Sequence, residues 1–138
     1  MPAKDLFHDA VKTALVKDGW IITHDPFRLD YGFTDAYVDL GAEKILAAEK
    51  DSEKIAVEIK SFVGKSELYE FYAALGQFIS YRFALKYNDP DRILYLAVPQ
   101  DTFATLFHQE MIEGLVRESD IKIIVYNSDE EVIVEWKK

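Results

Sequence analysis

Apolar residues recur at helical spacing in three stretches of this 138-residue chain, and they alternate or run continuously in six shorter ones. The helical spacing predicts helices over residues 3–18, 67–87 and 102–118. Strands bounded by turn-forming residues are predicted over 20–23, 45–49, 54–60, 92–98, 121–126 and 131–136. A structured loop is predicted over residues 28–43. The order α-β-loop-β-β-α-β-α-β-β predicts an α/β fold with a mixed central sheet flanked by helices.

The strand predicted over residues 54–60 carries two charged side chains next to each other. Glu58 and Lys60 project from the same side, about 6–7 Å apart, because side chains alternate between the two sides of a strand. The other side consists of Ile55, Val57 and Ile59, and we expect it to be the one buried face of this strand. Such a pair is most often the solvated side of a hairpin, so on its own it indicates no chemistry.

The helix predicted over residues 67–87 has more aromatic side chains than one helix face can hold. Its predicted buried stripe consists of Leu68, Phe71, Tyr72, Leu75, Ile79 and Phe83. An adjacent stripe carries Glu70, Ala73, Ala74, Gln77 and Tyr81. We expect a second subunit to bury part of the aromatic set, so that the protein forms a dimer or a larger homo- or hetero-oligomer.

The composition predicts a globular domain, and the absence of cysteine is consistent with a reducing compartment. Its length and its 49% of hydrophobic residues predict a single domain over residues 1–138. The absence of cysteine excludes disulfides, thiolate metal sites and cysteine nucleophiles. The sequence has no signal-like start and no apolar segment long enough to span a membrane, so we expect a cytoplasmic protein without membrane contact.

The net charge of −9 argues against a general nucleic-acid-binding surface, which is normally basic. The charge is unevenly distributed, since residues 101–138 contain nine Asp or Glu against four Lys or Arg. Residues 60–92 contain five Lys or Arg against four Asp or Glu. A polyanion such as DNA is therefore expected to dock near the middle of the chain.

Several oxygen ligands and one lysine occur in the order that a metal-dependent phosphodiesterase needs. Asp39 and Glu58 offer carboxylates, and the Ile59 carbonyl would complete a ligand set that suits Mg²⁺ or Mn²⁺. Lys60 would orient or deprotonate an attacking water, or stabilise the charge that develops on the phosphate. Gln77, on the following helix, would converge on the same place. Each of these residues alone is common on a surface or in a turn, and only their combination supports the hypothesis.

Three short segments together resemble the PD-(D/E)xK nuclease superfamily. They are Val38-Asp39-Leu40, Val57-Glu58-Ile59-Lys60-Ser61 and Gly76-Gln77-Phe78-Ile79-Ser80-Tyr81. Essentially the whole chain is similar to the XisH family, the fdxN element excision controlling factors. This similarity is carried by residues 18–23, 39–44, 47–50, 55–62 and 74–77.

The resemblance implies a restriction-endonuclease-like fold and a Mg²⁺ site on the central hairpin, with Asp39, Glu58, Lys60 and Gln77 as catalytic residues. It implies an endonuclease that acts on DNA and controls excision of a DNA element. A companion protein of the XisI type and a separate recombinase would act with it. Gln77 and Tyr81 resemble a Gln-x-x-x-Tyr helix motif that positions DNA or orients site residues.

Other positions and interpretations stay open beside this site. Asp9 and Ser61 are candidates for supporting or DNA-positioning roles, and Asp35 or Glu49 is the alternative to Asp39 as first metal ligand. A competing interpretation is a nuclease fold that no longer cuts and regulates the recombinase through protein contacts. A third is an interaction domain on which the charged pair of the strand is a surface ion pair of little energetic value.

Overall fold

The computed structural model describes residues 7–33, 45–63 and 65–138. Within these ranges the chain forms six strands, four α-helices and one short 3₁₀ helix over Leu106–His108. The helices are α1 (His8–Lys17), α2 (Glu67–Asn88), α3 (Gln100–Thr105) and α4 (Glu110–Glu118). The strands are β1 (Ile21–His24), β2 (Ile45–Lys50), β3 (Glu53–Ile59), β4 (Arg92–Pro99), β5 (Ile123–Asn127) and β6 (Val132–Lys137). The start of the first predicted helix lies outside the described residues.

The six strands form one sheet in sequential order, β1 to β6. The central pairs β3–β4 and β4–β5 are parallel, and the three outer pairs are antiparallel. Each parallel pair is joined by a helical crossover, as parallel neighbours require. The predicted mixed α/β fold with helices around a central sheet is therefore confirmed.

The β2–β3 hairpin turns through two residues, Asp51 and Ser52, and both have positive φ, at 49° and 74°. Two positive φ angles match the right-handed twist of the flanking strands in two-residue hairpins. The turn is shorter than the four residues, 50–53, that separate the two predicted strands. Its register places Ile45 opposite Glu58 and Lys50 opposite Glu53.

The sheet has a hydrophobic core on each of its two faces. One core lies against α2 and includes Ala56, Leu94, Leu96 and Phe78. The other lies against α1 and includes Ile55, Val57, Ile59, Leu15 and Trp20. The prediction that β3 has only one buried face is wrong, because α2 covers the side on which we expected solvent.

Helix α2 begins where the sequence predicts, with the Ser66 hydroxyl accepting a 3.2 Å hydrogen bond from the Tyr69 N–H. The predicted buried stripe is wrong for Leu68, Tyr72, Ile79 and Phe83, which are exposed. The buried face instead consists of Phe71, Ala74, Phe78, Tyr81, Ala84 and Leu85. The two alanines on this face are small enough for the helix to pack closely on the sheet.

The helix predicted over residues 102–118 is broken in the structure. Gln109 adopts an extended conformation, with φ −70° and ψ 136°, between the 3₁₀ turn and α4. The break lets Phe107 pack edge-on against the rings of Phe62 and Phe71, at centroid distances of 5.7 and 5.6 Å.

None of the described helices, including the 22-residue α2, has the combination of length and apolar character that a membrane span needs.

Candidate functional site

Glu58 is a fully buried carboxylate at the end of a central strand. It is the penultimate residue of β3 and lies between Ile45 of β2 and Leu96 of β4 in the sheet register. Its exposed fraction is 0%. Ala56, two residues earlier on the same side of β3, packs in the core beneath α2. Glu58 therefore lies in the layer between the sheet and α2.

Lys60 follows directly after β3 and is also buried, with 7% exposed. Both the N–H and the carbonyl of its main chain are hydrogen-bonded. The N–H donates a 3.2 Å hydrogen bond to the Ala97 carbonyl, and the carbonyl accepts one of 3.3 Å from the Tyr126 hydroxyl. Because both Glu58 and Lys60 are buried, they are not a solvated hairpin pair, and the surface-pair interpretation is wrong.

The face of α2 that covers this side of the sheet carries a row of polar groups. Glu70, Gln77 and Tyr81 are spaced by seven and four residues, which places them on one side of a helix. Tyr81 is 1% exposed and shares its core cluster with Ala56. The structure therefore places Glu58, Gln77 and Tyr81 in the layer between the sheet and α2.

Glu70 is a member of this row that the sequence pattern did not identify as a site residue. Glu70 Oε2 and Gln77 Oε1 are both inaccessible to solvent, and neither has a hydrogen-bond partner within the described part of the chain. A buried polar oxygen without a partner is costly, so such atoms occur where a ligand, ion or water satisfies them. The sequence feature that could have identified Glu70 is its seven-residue spacing from Gln77, which places both residues on the same side of the helix.

The connector between β3 and α2 is strained next to the candidate site. Phe62 has a φ of 57° although it is neither glycine nor asparagine, and its ring is buried. A bulky residue in the left-handed region costs of order 1–3 kcal/mol, and such residues cluster at functional sites. Ring packing against Phe107 holds Phe62 in place and fixes the path of the chain after Lys60.

The donor chemistry of this layer suits a hard cation. The described residues offer the Glu58 and Glu70 carboxylates and the Gln77 amide oxygen, and Mg²⁺ and Mn²⁺ prefer oxygen ligands. Over residues 7–33, 45–63 and 65–138, no three His, Cys, Asp or Glu side chains are grouped closely enough to hold a metal. The third carboxylate of the predicted site, Asp39, lies outside these ranges, as does Asp35.

Comparison with known proteins decides the family. The family model for XisH protein matches residues 1–134. The chain belongs to the XisH family. No functionally curated protein matches it.

Two crystal structures of XisH-type proteins are similar to the chain along its whole length. One is an XisH family protein from Nostoc punctiforme, with 44% identity, a TM-score of 0.90, and coverage of 97% of this chain and 100% of that one. The other is a fdxN element excision controlling factor protein from Anabaena variabilis. It has 46% identity, a TM-score of 0.88, and coverage of 96% and 98%. The resemblance to XisH proteins seen in the sequence is thus confirmed.

The structure does not bring every predicted residue of this XisH family member into the layer beneath α2. Asp9 is exposed on α1, which packs on the opposite face of the sheet. Glu49 pairs with Lys54, four residues before Glu58 on β3 and so about 13 Å away along the strand. Ser61 is half-buried in the connector after β3. The side chain of Ile59 packs in the α1 core.

A buried arginine organises the other end of the same strands. Arg92, at the start of β4, donates hydrogen bonds of 3.0 Å to Asp89 Oδ2 and to the Ile55 carbonyl. Its guanidinium lies 5.0 Å from the ring centroid of Phe27 and 3.6 Å from a Glu49 oxygen. In this XisH family member, Glu49 therefore has a structural role as an ion-pair partner of Arg92.

A second polar cluster joins α1 to the segment after β1. Asp25 Oδ1 lies 2.9 Å from Nε2 of the buried His8, and Asp25 Oδ2 accepts a 3.0 Å hydrogen bond from Lys12. Burial raises the pKa of Asp25, but the Lys12 hydrogen bond and the charges of His8 and Lys12 outweigh it and hold the pKa below its ordinary value. The cluster links α1 to the chain beyond β1.

Proposed function

We propose that this XisH family protein is a Mg²⁺-dependent DNA endonuclease of the PD-(D/E)xK type, with a restriction-endonuclease-like fold, and that it acts in the excision of a DNA element. The observation that carries the proposal is the buried pair Glu58 and Lys60 at the end of β3, covered by the Glu70, Gln77 and Tyr81 row of α2. The related protein from Anabaena variabilis is a fdxN element excision controlling factor, which supports the biological setting.

The energetics of burial support a chemical role for this pair. Moving a carboxylate or an ammonium group out of water costs several kcal/mol even after relaxation. Well-packed apolar residues would stabilise the same positions at least as well. Groups buried at this cost are typical of functional sites, where an unusual environment adjusts their reactivity. The strained φ of Phe62 in the adjacent connector agrees with this interpretation.

Glu58 is proposed as a metal ligand together with Asp39, and the Ile59 carbonyl would complete the set. The buried oxygens of Glu70 and Gln77 belong to the same donor class. When bound, Mg²⁺ would polarise the phosphate and lower the pKa of a coordinated water. The protein contributes the position of these oxygens at the end of a rigid parallel sheet.

Lys60 is proposed to act on the attacking water and on the phosphate. Its position beyond Glu58 lets the side chain orient or deprotonate the water, or stabilise negative charge as the P–O bond breaks. The hydrogen bonds at the Lys60 main chain hold this position against both β4 and β5. Gln77 and Tyr81 on α2 would orient Glu58 or a DNA phosphate, and Ser61 would support the DNA from the connector.

The decisive test is incubation with duplex, nicked and branched DNA in Mg²⁺ or Mn²⁺. The wild type should cleave at least one of these substrates, and Glu58→Gln and Lys60→Met should each lower the rate by about 10²–10⁴, as loss of a positioned catalytic group does. Matched controls exist on the same strand, where Glu53 is exposed and Lys54 is half-buried at the far end. Glu53→Gln and Lys54→Met should cleave like the wild type. Cleavage that persists in Glu58→Gln would contradict the proposed site.

The second candidate is a nuclease fold that no longer cuts and regulates a separate recombinase through a companion protein of the XisI type. The net charge of −9 favours it, because an acidic protein binds DNA weakly without help. An absence of cleavage by the wild type, with and without such a companion, would support this function. In that case Glu58→Gln should leave excision in a reconstituted recombination assay unchanged.

A further inference from the structure

The face of α2 that points away from the candidate site is apolar and exposed. It carries Leu68, Tyr69, Tyr72, Ile79, Phe83 and Tyr87, with exposed fractions between 44% and 76%. These positions fall on one side of a helix with 3.6 residues per turn, opposite the buried face. They form a stripe along most of the 22-residue helix, which we call the α2 stripe.

Gly76 lies in the middle of the α2 stripe, between Tyr72 and Ile79. A Cβ atom added at Gly76 would meet nothing within 4 Å, so no contact inside the subunit requires a glycine there. Glycine within a helix lowers helix stability, and its advantage is that another backbone can approach closely. Gly76 therefore leaves a shallow notch at the centre of an exposed apolar face.

The stripe is nearly symmetric about this glycine. An antiparallel copy of α2 centred on Gly76 would place Tyr69 of one helix level with Phe83 of the other, because the two residues lie seven positions on either side of the glycine. All three positions lie on the same side of the helix.

We propose that the α2 stripe binds a second copy of this chain, with the two α2 helices antiparallel and crossing at Gly76. The interface is isologous, so that every contact occurs twice around a two-fold axis. The antiparallel direction is favoured because it places opposite ends of the two helix dipoles next to each other, whereas a parallel pair places like ends together. This proposal concerns assembly and does not depend on the proposed nuclease activity.

The exposed apolar area agrees with a dimer interface. Four aromatic side chains of the stripe, each half to three-quarters exposed, offer roughly 500 Å² at 150–250 Å² per aromatic side chain. Leu68 and Ile79 add to this area, as does Met111 of α4, which lines a groove with Leu68 and Tyr72 and is 77% exposed. The total approaches the ~800 Å² per partner of a stable interface and exceeds what monomers usually expose.

The first test is the oligomeric state by sedimentation equilibrium and light scattering from about 1 to 100 μM, since interfaces of this size span micromolar to picomolar Kd. The wild type should be a dimer within this range. Gly76→Gln should raise the dimer Kd at least tenfold while the melting temperature of the isolated subunit is retained or increased. Gly114→Gln is the matched control on α4, where an added Cβ has only an ordinary 3.9 Å contact, and its dimer Kd should equal that of the wild type.

The second test is disulfide cross-linking, which distinguishes the antiparallel arrangement from a parallel one in a chain without native cysteine. Under oxidation, a mixture of Tyr69→Cys and Phe83→Cys subunits should give a disulfide-linked dimer, and Tyr69→Cys alone should not, because the two copies of position 69 lie about 21 Å apart along antiparallel helices. A monomeric wild type at all concentrations would overturn the proposal, as would a Gly76→Gln dimer of unchanged Kd or a disulfide-linked dimer of Tyr69→Cys alone. A different protein that covers the stripe while this chain alone stays monomeric would also overturn it.

Discussion

The hydroxyl of Tyr126 donates a hydrogen bond of 3.3 Å to the main-chain carbonyl of Lys60. Tyr126 belongs to β5 and packs in the core against α1, on the side of the sheet opposite to Glu58. The end of β3 is therefore held from the face that does not carry the candidate site. Tyr126 can therefore be substituted without changing a residue on the face of the sheet that carries Glu58.

Tyr126→Phe should lower the free energy of unfolding by about 1 kcal/mol, because it removes one buried hydrogen bond and keeps the ring. Urea denaturation measures the change. Tyr69→Phe is the control, since Tyr69 is 75% exposed, and it should change stability by less than about 0.5 kcal/mol. If cleavage is found, Tyr126→Phe should also lower its rate through displacement of Lys60. Equal stability of wild type and Tyr126→Phe would show that this hydrogen bond makes no net contribution to the free energy of unfolding.

Mg²⁺ should stabilise the folded protein if Glu58 is a ligand. A ligand that binds only the folded state adds about 2.7 kcal/mol at 100 times its Kd. Thermal unfolding in a Mg²⁺ series, with added NaCl to keep ionic strength constant, should show a rise for the wild type and for Glu53→Gln. Glu58→Gln should show no rise. The same rise in Glu58→Gln would place the metal elsewhere.

The Asp25 cluster should make the fold sensitive to acid. The pKa of Asp25 in the folded state lies below its ordinary value, since the Lys12 hydrogen bond and the nearby positive charges outweigh the opposing effect of burial. Its contribution to stability is therefore complete above the unfolded-state pKa of about 4 and is lost as pH falls through the lowered folded-state pKa. Urea denaturation at a series of pH values between about 2 and 6, the range in which carboxyl groups titrate, measures this loss of stability.

Asp25→Asn should reduce this loss of stability below about pH 4, because the titrating group is removed. Asp91→Asn is the control, since Asp91 is exposed at the turn before β4. It should leave the acid dependence as in the wild type. An unchanged dependence in Asp25→Asn would mean that other carboxylates dominate.

Arg92→Lys should lower the free energy of unfolding by roughly 2–4 kcal/mol, although the charge is kept. Lysine lacks the planar fork that bonds Asp89 and the Ile55 carbonyl together, and it stacks less well on Phe27. Guanidinium denaturation measures the difference. The exposed Arg117→Lys on α4 should be neutral. If Arg92→Lys has the stability of the wild type, the positive charge at this position matters and the planar shape of the guanidinium does not.

The strands and α2 could be predicted because their local periodicity and caps agree with the final fold. Ser66 caps α2 at the predicted start of the helix, and Ile55, Val57 and Ile59 form a buried face of β3 as their alternation predicts. The burial of the other side of β3 was not predicted, because it depends on the packing of α2. The face of α2 that becomes buried could not be predicted. Both faces are apolar, and the choice depends on the close packing of Ala74 and Ala84 on the sheet, which is a tertiary effect.

The candidate site was predictable in its residues and less so in its environment. Glu58, Lys60 and Gln77 are visible as a motif, but their burial depends on the crossover that places α2 over this side of β3. The burial of Glu70 Oε2 depends on the same crossover. The break at Gln109 likewise results from the burial of Phe107, since nothing in the local spacing interrupts the helical pattern.

The chain reverses direction between β3 and α2, so that Glu58 and Lys60 lie toward the end of the sheet from which α2 starts. In an antiparallel pair of α2 helices, the two starting ends are about 33 Å apart for 22 residues. Because the α2 stripe and the buried face of α2 lie on opposite sides of the helix, neither copy of Glu58 would lie in the interface between the subunits. A dimer built in this way would hold two separate candidate sites, each complete within its own subunit.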